Sequence, residues 1–312
     1  MKLINRRAFV ARSLAAAAVM SATSGIAKAE SSISLLSGNP QADSAPSIID
    51  TNINLLNWPF RKFKYGETDA LVKKLKKHHI SQAWAGSFEG LFHKNIDAVN
   101  KRLADECRKN SRGFLLPFGT VNIAWPDWKE DLRRCDEQYG MKGVKIFPIY
   151  QTFDFAQPEF VELLEEVAKR NMILQVVGDI DDLRNIHPIV KVRSVKFEAM
   201  VDAVKKVPNA KVELVYWNNR VGGKVLDRFV EETNVFFDIS RIETNGGLGL
   251  LIEGKPWNGT TKPVPAKRIM FGSHAPFFPV ETNLLKLFES PLEKQDFIDI
   301  ANGNASSFLK TS

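Results

Sequence analysis

The sequence predicts an α/β protein, a single (β/α)8 TIM-like barrel, on three observations. Short apolar segments rich in Val, Ile, Leu and Phe recur along the chain. Amphipathic stretches separate them, the alternation that builds parallel βα units. No Gly-x-Gly-x-x-Gly follows a strand and no Walker-type loop occurs, so a nucleotide-binding open sheet lacks its fingerprint.

The elements follow in order. A strand is expected at 47–54 and a helix at 67–79, where Leu71 and Leu75 share one stripe. Strands at 81–86, 114–122 and 143–148 alternate with helices at 96–109, 128–139 and 159–170. Four more strands fit 172–178, 210–216, 235–240 and 268–273, with helices at 197–206, 224–232 and 280–288. The stretch 245–265, rich in Gly and Pro and carrying Trp257, reads as a long loop with a short helix. Such loops on a barrel form the rim or lid of a site.

Ahead of the barrel, Asn5-Arg6-Arg7-Ala8-Phe9-Val10 resembles a twin-arginine export motif, followed by an apolar run and Ala27-Lys28-Ala29. This predicts a cleavable signal peptide at 1–29, a flexible leader at 30–46 and the barrel domain at 47–312. The apolar run is too short and too Ala-rich to span a bilayer comfortably. Export to the periplasm and a mature form with no membrane segment are the expectations. The signal holds Lys2, Arg6, Arg7, Arg12 and Lys28 with no acid; without it the net charge falls from +7 to +2. The basic balance therefore gives no reason to expect a nucleic-acid partner. About 265 residues remain, enough for one barrel and a large core. Cys107 and Cys135 cannot make a tetrahedral metal site alone, and they read as separate buried thiols, with a disulfide permitted in the periplasm.

A barrel of this kind places its site at the C-terminal ends of the strands. That rule selects Asn52, Asn54, Glu89, Asn122, Lys145, Gln175, Asp179, Tyr216 to Asn219, Arg241 and His274. His78 and His79 close a basic helix, where they suit its negative end. His187 reads as a surface residue before Pro188, and His93 could reach the rim.

Several motifs together resemble the amidohydrolase-related family of barrel hydrolases and decarboxylases over roughly 48–309. They are Gly143-Val144-Lys145, Gly272-Ser273-x-Ala275-Pro276, the closing Gly303-Asn304-Ala305, and Asn57-Trp58-Pro59-Phe60-Arg61, which is similar to a variant branch. The resemblance implies a divalent metal held by two histidines on strand one, further histidines after strands five and six, and an aspartate after strand eight. Those positions read here as Asn52, Asn54, Val176, Tyr216 and His274. Valine cannot ligate and amide oxygens are weak zinc ligands. No metal and no cofactor is therefore expected.

Without a metal, hydrolysis needs a general base and an oxyanion stabiliser. His274 is the first candidate for acid or base, with a hydrogen-bonded core histidine as the competing reading. Lys145 is the second catalytic candidate. Arg61, Arg241 and Lys145 suit a carboxylated substrate, unless Glu89 or Asp179 pairs with them. Asn52, Asn54, Glu89, Gln175 and Tyr216 complete the expected substrate contacts. Trp58, Tyr150, Tyr216 and Trp217 offer an aromatic platform or barrel packing. The expectation is an exported, metal-independent enzyme, hydrolase or lyase, acting on a small carboxylated or sugar-derived molecule. The alternatives are a non-catalytic periplasmic binding protein and a metalloenzyme with an unconventional site. A homo-oligomer is left open.

Overall fold

The computed structural model describes residues 47–110, 113–181, 186–244, 246–255 and 259–310. The expected signal peptide and leader lie outside them, as does Trp257. Eight parallel strands follow one another in sequence order around a single sheet: β1 (Ile48–Leu55), β2 (Ile80–Ser87), β3 (Leu115–Thr120), β4 (Gly143–Ile146), β5 (Ile173–Val177), β6 (Lys211–Val215), β7 (Phe236–Asp238) and β8 (Ile269–Met270). The ring is completed past the end of β8. There Thr51 N donates to Phe271 O at 2.9 Å, His274 N to Asn52 O at 2.7 Å, and Asn54 N to Ala275 O at 2.8 Å.

The helices alternate with the strands as the periodicity requires: α1 (Thr68–Lys77), α2 (Ile96–Asn110), α3 (Trp128–Glu137), α4 (Pro158–Lys169), α5 (Phe197–Val204), α6 (Gly223–Glu232), α7 (Gly247–Glu253) and α8 (Val280–Glu289). Each buries one stripe; in α1 it is Leu71, Val72 and Leu75. Asp69 in its first turn and Lys74, Lys76 and Lys77 in its last suit the helix dipole. His78 caps that helix, and its Nε2 lies 3.1 Å from Glu281 Oε1 of α8. The long loop between β7 and β8 holds α7, as expected. Beyond the expected elements, α9 (Lys294–Ile298), a π-helical turn (Asp299–Gly303) and α10 (Asn304–Lys310) close the chain.

Cys107 and Cys135 are both buried and are not joined by a disulfide, as expected, and burial pushes the Cys107 thiol up to about 12. No described helix is long and apolar enough to cross a membrane.

Candidate active site

The barrel is filled in layers. The lowest is apolar, with Ile49, Trp84, Phe118, Ile173 and Met270 backed by Ala305 and Phe308 of α10. The uppermost is apolar as well. Phe147, Val177 and Val215 at or just beyond the strand ends meet Trp58, Phe88, Ile180 and Phe277, and Trp58 lies 5.0–5.4 Å from four aromatic rings.

Between these layers lies a polar one, formed by Asp50, Thr51, Asn52, Lys145, Gln175, Glu213 and Asp238, all buried. Lys145, Gln175 and Glu213 stand side by side in the register of β4, β5 and β6. Strand β1 contributes neighbouring residues because its register slips between Asp50 and Ile53. An irregularity of this kind re-aims side chains that strict alternation would send to opposite faces.

Asn52 is the hub. Its Nδ2 donates to Asp238 Oδ2 at 2.9 Å and towards Ser240 Oγ at 3.3 Å, while its Oδ1 accepts from Lys145 Nζ at 3.1 Å. Lys145 Nζ also donates to Ile53 O at 3.3 Å. Asp238 accepts from Tyr216 N at 2.9 Å and Ser240 Oγ at 2.6 Å. Glu213 accepts from Thr51 Oγ1 at 2.5 Å and Gln175 Nε2 at 2.7 Å. Asp50 Oδ1 accepts from the amides of Ser273 and Asn52 at 2.9 and 3.1 Å.

Burial disfavours the charged form of each group. It raises Asp50 to about 7 and Glu213 to about 8, and it raises Asp238 as well. It lowers Lys145 to about 8, against the pull of Glu213, Asp238 and Asp50. The acids of the layer are thus biased towards their neutral forms near neutral pH, and the ammonium of Lys145 is made easier to deprotonate.

At the mouth, His274 stacks on Tyr216 with ring centroids 4.3 Å apart. Both residues hold left-handed backbone, with φ of 56° and 52°. Such a conformation costs a residue with a Cβ about 1–2 kcal/mol and persists only where surroundings impose it. His274 Nε2 lies 2.8 Å from Ile180 O, so that nitrogen carries the proton. Nδ1 faces Asn54 Nδ2 at 3.5 Å. Burial lowers the ring to about 3, which leaves a neutral hydrogen-bonding group where a general base was expected. Above it, the Arg241 guanidinium lies 5.5 Å from the Tyr216 ring. Arg61 lies 4.9 Å from the Phe277 ring and 3.9 Å from Asp181 Oδ2.

The structure therefore gathers Asn52, Asn54, Lys145, Gln175, Tyr216 and His274 in and above one layer, with Arg61 and Arg241 against its aromatic neighbours. Five expectations change. Glu89 leaves the group: its carboxylate accepts from Arg102 of α2 at 2.5 and 2.9 Å, in a turn outside the barrel. Trp217 is not a platform, because its Nε1 donates to Asp238 O at 2.9 Å and its ring packs on Phe237. Val176 faces the helices, since the side chains of β5 alternate and the inward positions are Gln175 and Val177. Asp179 pairs with Arg220 at 2.8 Å instead of Lys145, Arg61 or Arg241. Asn122 also turns aside, to accept from Ala124 N at 3.1 Å.

Sequence reasoning missed Asp50, Glu213, Asp238 and Lys286, whose Nζ donates to Ile239 O at 3.0 Å from α8. A signal existed. Glu213 stands in Lys-Val-Glu-Leu-Val and Asp238 in Phe-Phe-Asp-Ile, each an acid flanked directly by apolar residues in a strand segment expected to be buried.

The donor set does not suit a divalent ion. The mouth offers two amides, Val177, a phenol and one imidazole whose Nε2 is already committed to Ile180 O. Among the described residues no three His, Cys, Asp or Glu side chains gather to hold a metal.

No protein-family model matches the chain, and no curated protein does. Solved structures match well in shape. A Staphylococcus aureus protein provisionally assigned to the amidohydrolases aligns at TM-score 0.64 and 12% identity, over 85% of this chain and 100% of its own. The 2,6-dihydroxybenzoate decarboxylase from Rhizobium aligns at 0.61 and 15%, over 85% and 99%. The 5-carboxyvanillate decarboxylase from Sphingomonas paucimobilis aligns at 0.61 and 12%, over 86% and 100%. The chain thus shares the barrel of amidohydrolase-type proteins, which is the fold that the sequence motifs resemble.

Proposed function

We propose that this chain is a small-molecule enzyme, hydrolase or lyase in type, acting on a carboxylated or sugar-derived compound with its own side chains in place of a metal ion. One observation carries the reading: a hydrogen-bonded polar layer, with Lys145 at its centre, lies directly beneath the strained Tyr216–His274 pair at the C-terminal end of the barrel. Burying that many polar groups stabilises a fold less than an apolar filling does, so their presence points to function. Arg61 and Arg241 suit a carboxylate, and the aromatic layer suits a ring. Two of the similar structures are decarboxylases named for carboxylated aromatics, which supports the same substrate class.

Entry requires the aromatic layer to part. Trp58 is the movable wall in this reading, because it packs in that layer and also lines an outer cleft of about 810 Å³ with Arg61, Lys62 and Glu89. Protein dialysed against chelator is expected to turn over one member of a panel of carboxylated phenols, sugar acids and lactones, followed by product mass. Lys145→Met is expected to lower that turnover about a hundredfold or more. Turnover that appears only with added zinc or manganese would sink the reading.

A second reading has an observation of its own. The polar layer satisfies most of its own hydrogen bonds, and His274 is held neutral, as in a barrel that binds but no longer reacts. Thermal stabilisation by a panel compound with no product formed would select it.

The reading includes export through the twin-arginine route. Replacing Arg6 and Arg7 with Lys is expected to strand the protein in the cytoplasmic fraction of a bacterial host; an unchanged distribution would remove this part.

A further inference from the structure

We infer that Lys145 is a carbonyl-capturing amine, forming an imine with an aldehyde or 2-oxo acid in the polar layer beneath the mouth of the barrel. The inference rests on the enzymatic reading above and names a substrate class for it.

Donor counting comes first. Lys145 Nζ has two hydrogen-bond acceptors, Asn52 Oδ1 at 3.1 Å and Ile53 O at 3.3 Å, and both are uncharged. A neutral amine has two N–H donors and a lone pair, whereas an ammonium has three donors. The two acceptors therefore satisfy the neutral amine and leave its lone pair unengaged. An ammonium would keep one N–H without an acceptor in a site of 0% exposure, a costly arrangement. The carboxylates of the layer do not take that place. Neither Glu213, held by Thr51 and Gln175, nor Asp238, held by Tyr216, Ser240 and Asn52, nor Asp50, held through Oδ1 by the amides of Ser273 and Asn52, forms a hydrogen bond or ion pair with Nζ. Burial moves the amine in the same direction, down to about 8.

Packing comes second. The lysine stem runs against Gly86 of β2, where a Cβ would stand 2.6 Å from Lys145 Cδ, 2.9 Å from Cε and 3.1 Å from Nζ. A bare strand position thus holds the stem in its path. A structural lysine on a barrel strand needs no such channel, but an amine that must present a lone pair at one place does.

The step balances without oxidant or reductant. The amine lone pair attacks the carbonyl carbon, and the C–O π pair goes to oxygen. The two N–H protons leave with that oxygen as water, so that Lys145 Nζ ends double-bonded to carbon. Protonated, this imine draws electrons from the bonds of the adjacent carbon, which eases proton or carboxylate loss there. A 2-oxo acid supplies both the carbonyl and a carboxylate for Arg61 and Arg241.

The test is reductive trapping. Wild-type protein is incubated with pyruvate or phenylpyruvate and cyanoborohydride, then examined by intact mass and peptide mapping. The expected result is one adduct on Lys145, with the mass of the acid less one water plus two hydrogens, absent from Lys145→Met. Gly86→Ala, which displaces the amine, is expected to trap about tenfold more slowly. Adducts scattered over surface lysines at equal yield in Lys145→Met would overturn the inference, and so would no adduct. A thermal shift with the same acids separates the failures: a shift without an adduct removes only the imine, and no shift across the carboxylic-acid panel removes the enzymatic reading too.

Discussion

Moving from about pH 5 to about pH 8 is expected to lower the stability of this protein by on the order of 2–4 kcal/mol, or roughly 5–10 °C in melting temperature. Maximal stability ordinarily lies between about pH 5 and 8, so a steady fall across that window is diagnostic. Its source is the polar layer. Asp50 stands at about 7 in the folded chain against 3.8 for the unfolded group, and Glu213 at about 8 against 4.5. Groups raised in this way contribute stability that is fully present below their unfolded values and is lost as pH rises through their folded ones. His274 works in the opposite sense. Lowered to about 3 from 6.5, it contributes stability above 6.5 that is lost as pH falls through 3. Two acids outweigh one histidine between pH 5 and 6.5, and above 6.5 the histidine no longer opposes them. The surface acids Glu130 and Glu232, held near 2 by their arginine partners, finish titrating below the window. Near pH 8 the slope should turn, because Lys145 and Lys286 begin to lose protons that burial disfavours. Thermal melts at constant ionic strength measure this directly. Glu213→Gln is expected to remove the part of the fall nearest pH 8, and a flat profile in the wild type would contradict the raised acids of the polar layer.

The second large effect is expected at Asp238. Asp238→Ala should destabilise the fold by about 3–5 kcal/mol. The carboxylate joins three strands: it accepts from Asn52 of β1, from Tyr216 N at the end of β6, and from Ser240 just beyond β7. Removing it leaves the Tyr216 amide buried without its acceptor, at a residue already in left-handed backbone. It also frees the amide of Asn52, whose other end positions Lys145. Asp238→Asn keeps an oxygen for Tyr216 N but turns an NH2 towards Ser240 or Asn52, so a smaller loss is expected. Denaturant unfolding at neutral pH gives both values. Equal and small losses would mean that the carboxylate is a bystander.

The two effects share one origin, an ionisable layer that the barrel encloses between apolar ones. Its members lie on five strands, β1, β4, β5, β6 and β7. Removing one group therefore disturbs the geometry of the others, and double substitutions within the layer should not add.

The barrel was legible because alternation of short apolar runs and amphipathic stretches is a property of neighbouring residues. The helices at 67–79, 96–109 and 159–170 appear within a few residues as α1, α2 and α4. Lys145, Asn52, Asn54, Tyr216 and His274 were legible too, since the end of a barrel strand is a place that sequence order gives. Glu89 was misplaced for a physical reason. Sequence shows that it follows β2, but not that the chain bends outward there into a turn beside Arg102.

What the sequence determined by itself was the wall of the barrel and the polar residues at its rim, because backbone periodicity and chain order are local. Only the tertiary structure decided what those residues are. The slipped register of β1 sends Thr51 to Glu213 and Asn52 to Asp238, across 162 and 186 residues of chain. Closure of the ring buries His274 as a neutral hydrogen-bonding group. Lys145 has two uncharged acceptors, and a lone pair left unengaged once its proton is lost, because β1 supplies both acceptors and β2 leaves Gly86 bare. A side chain's charge depends on the water and partners around it, and those are set by strands that meet only when the barrel closes.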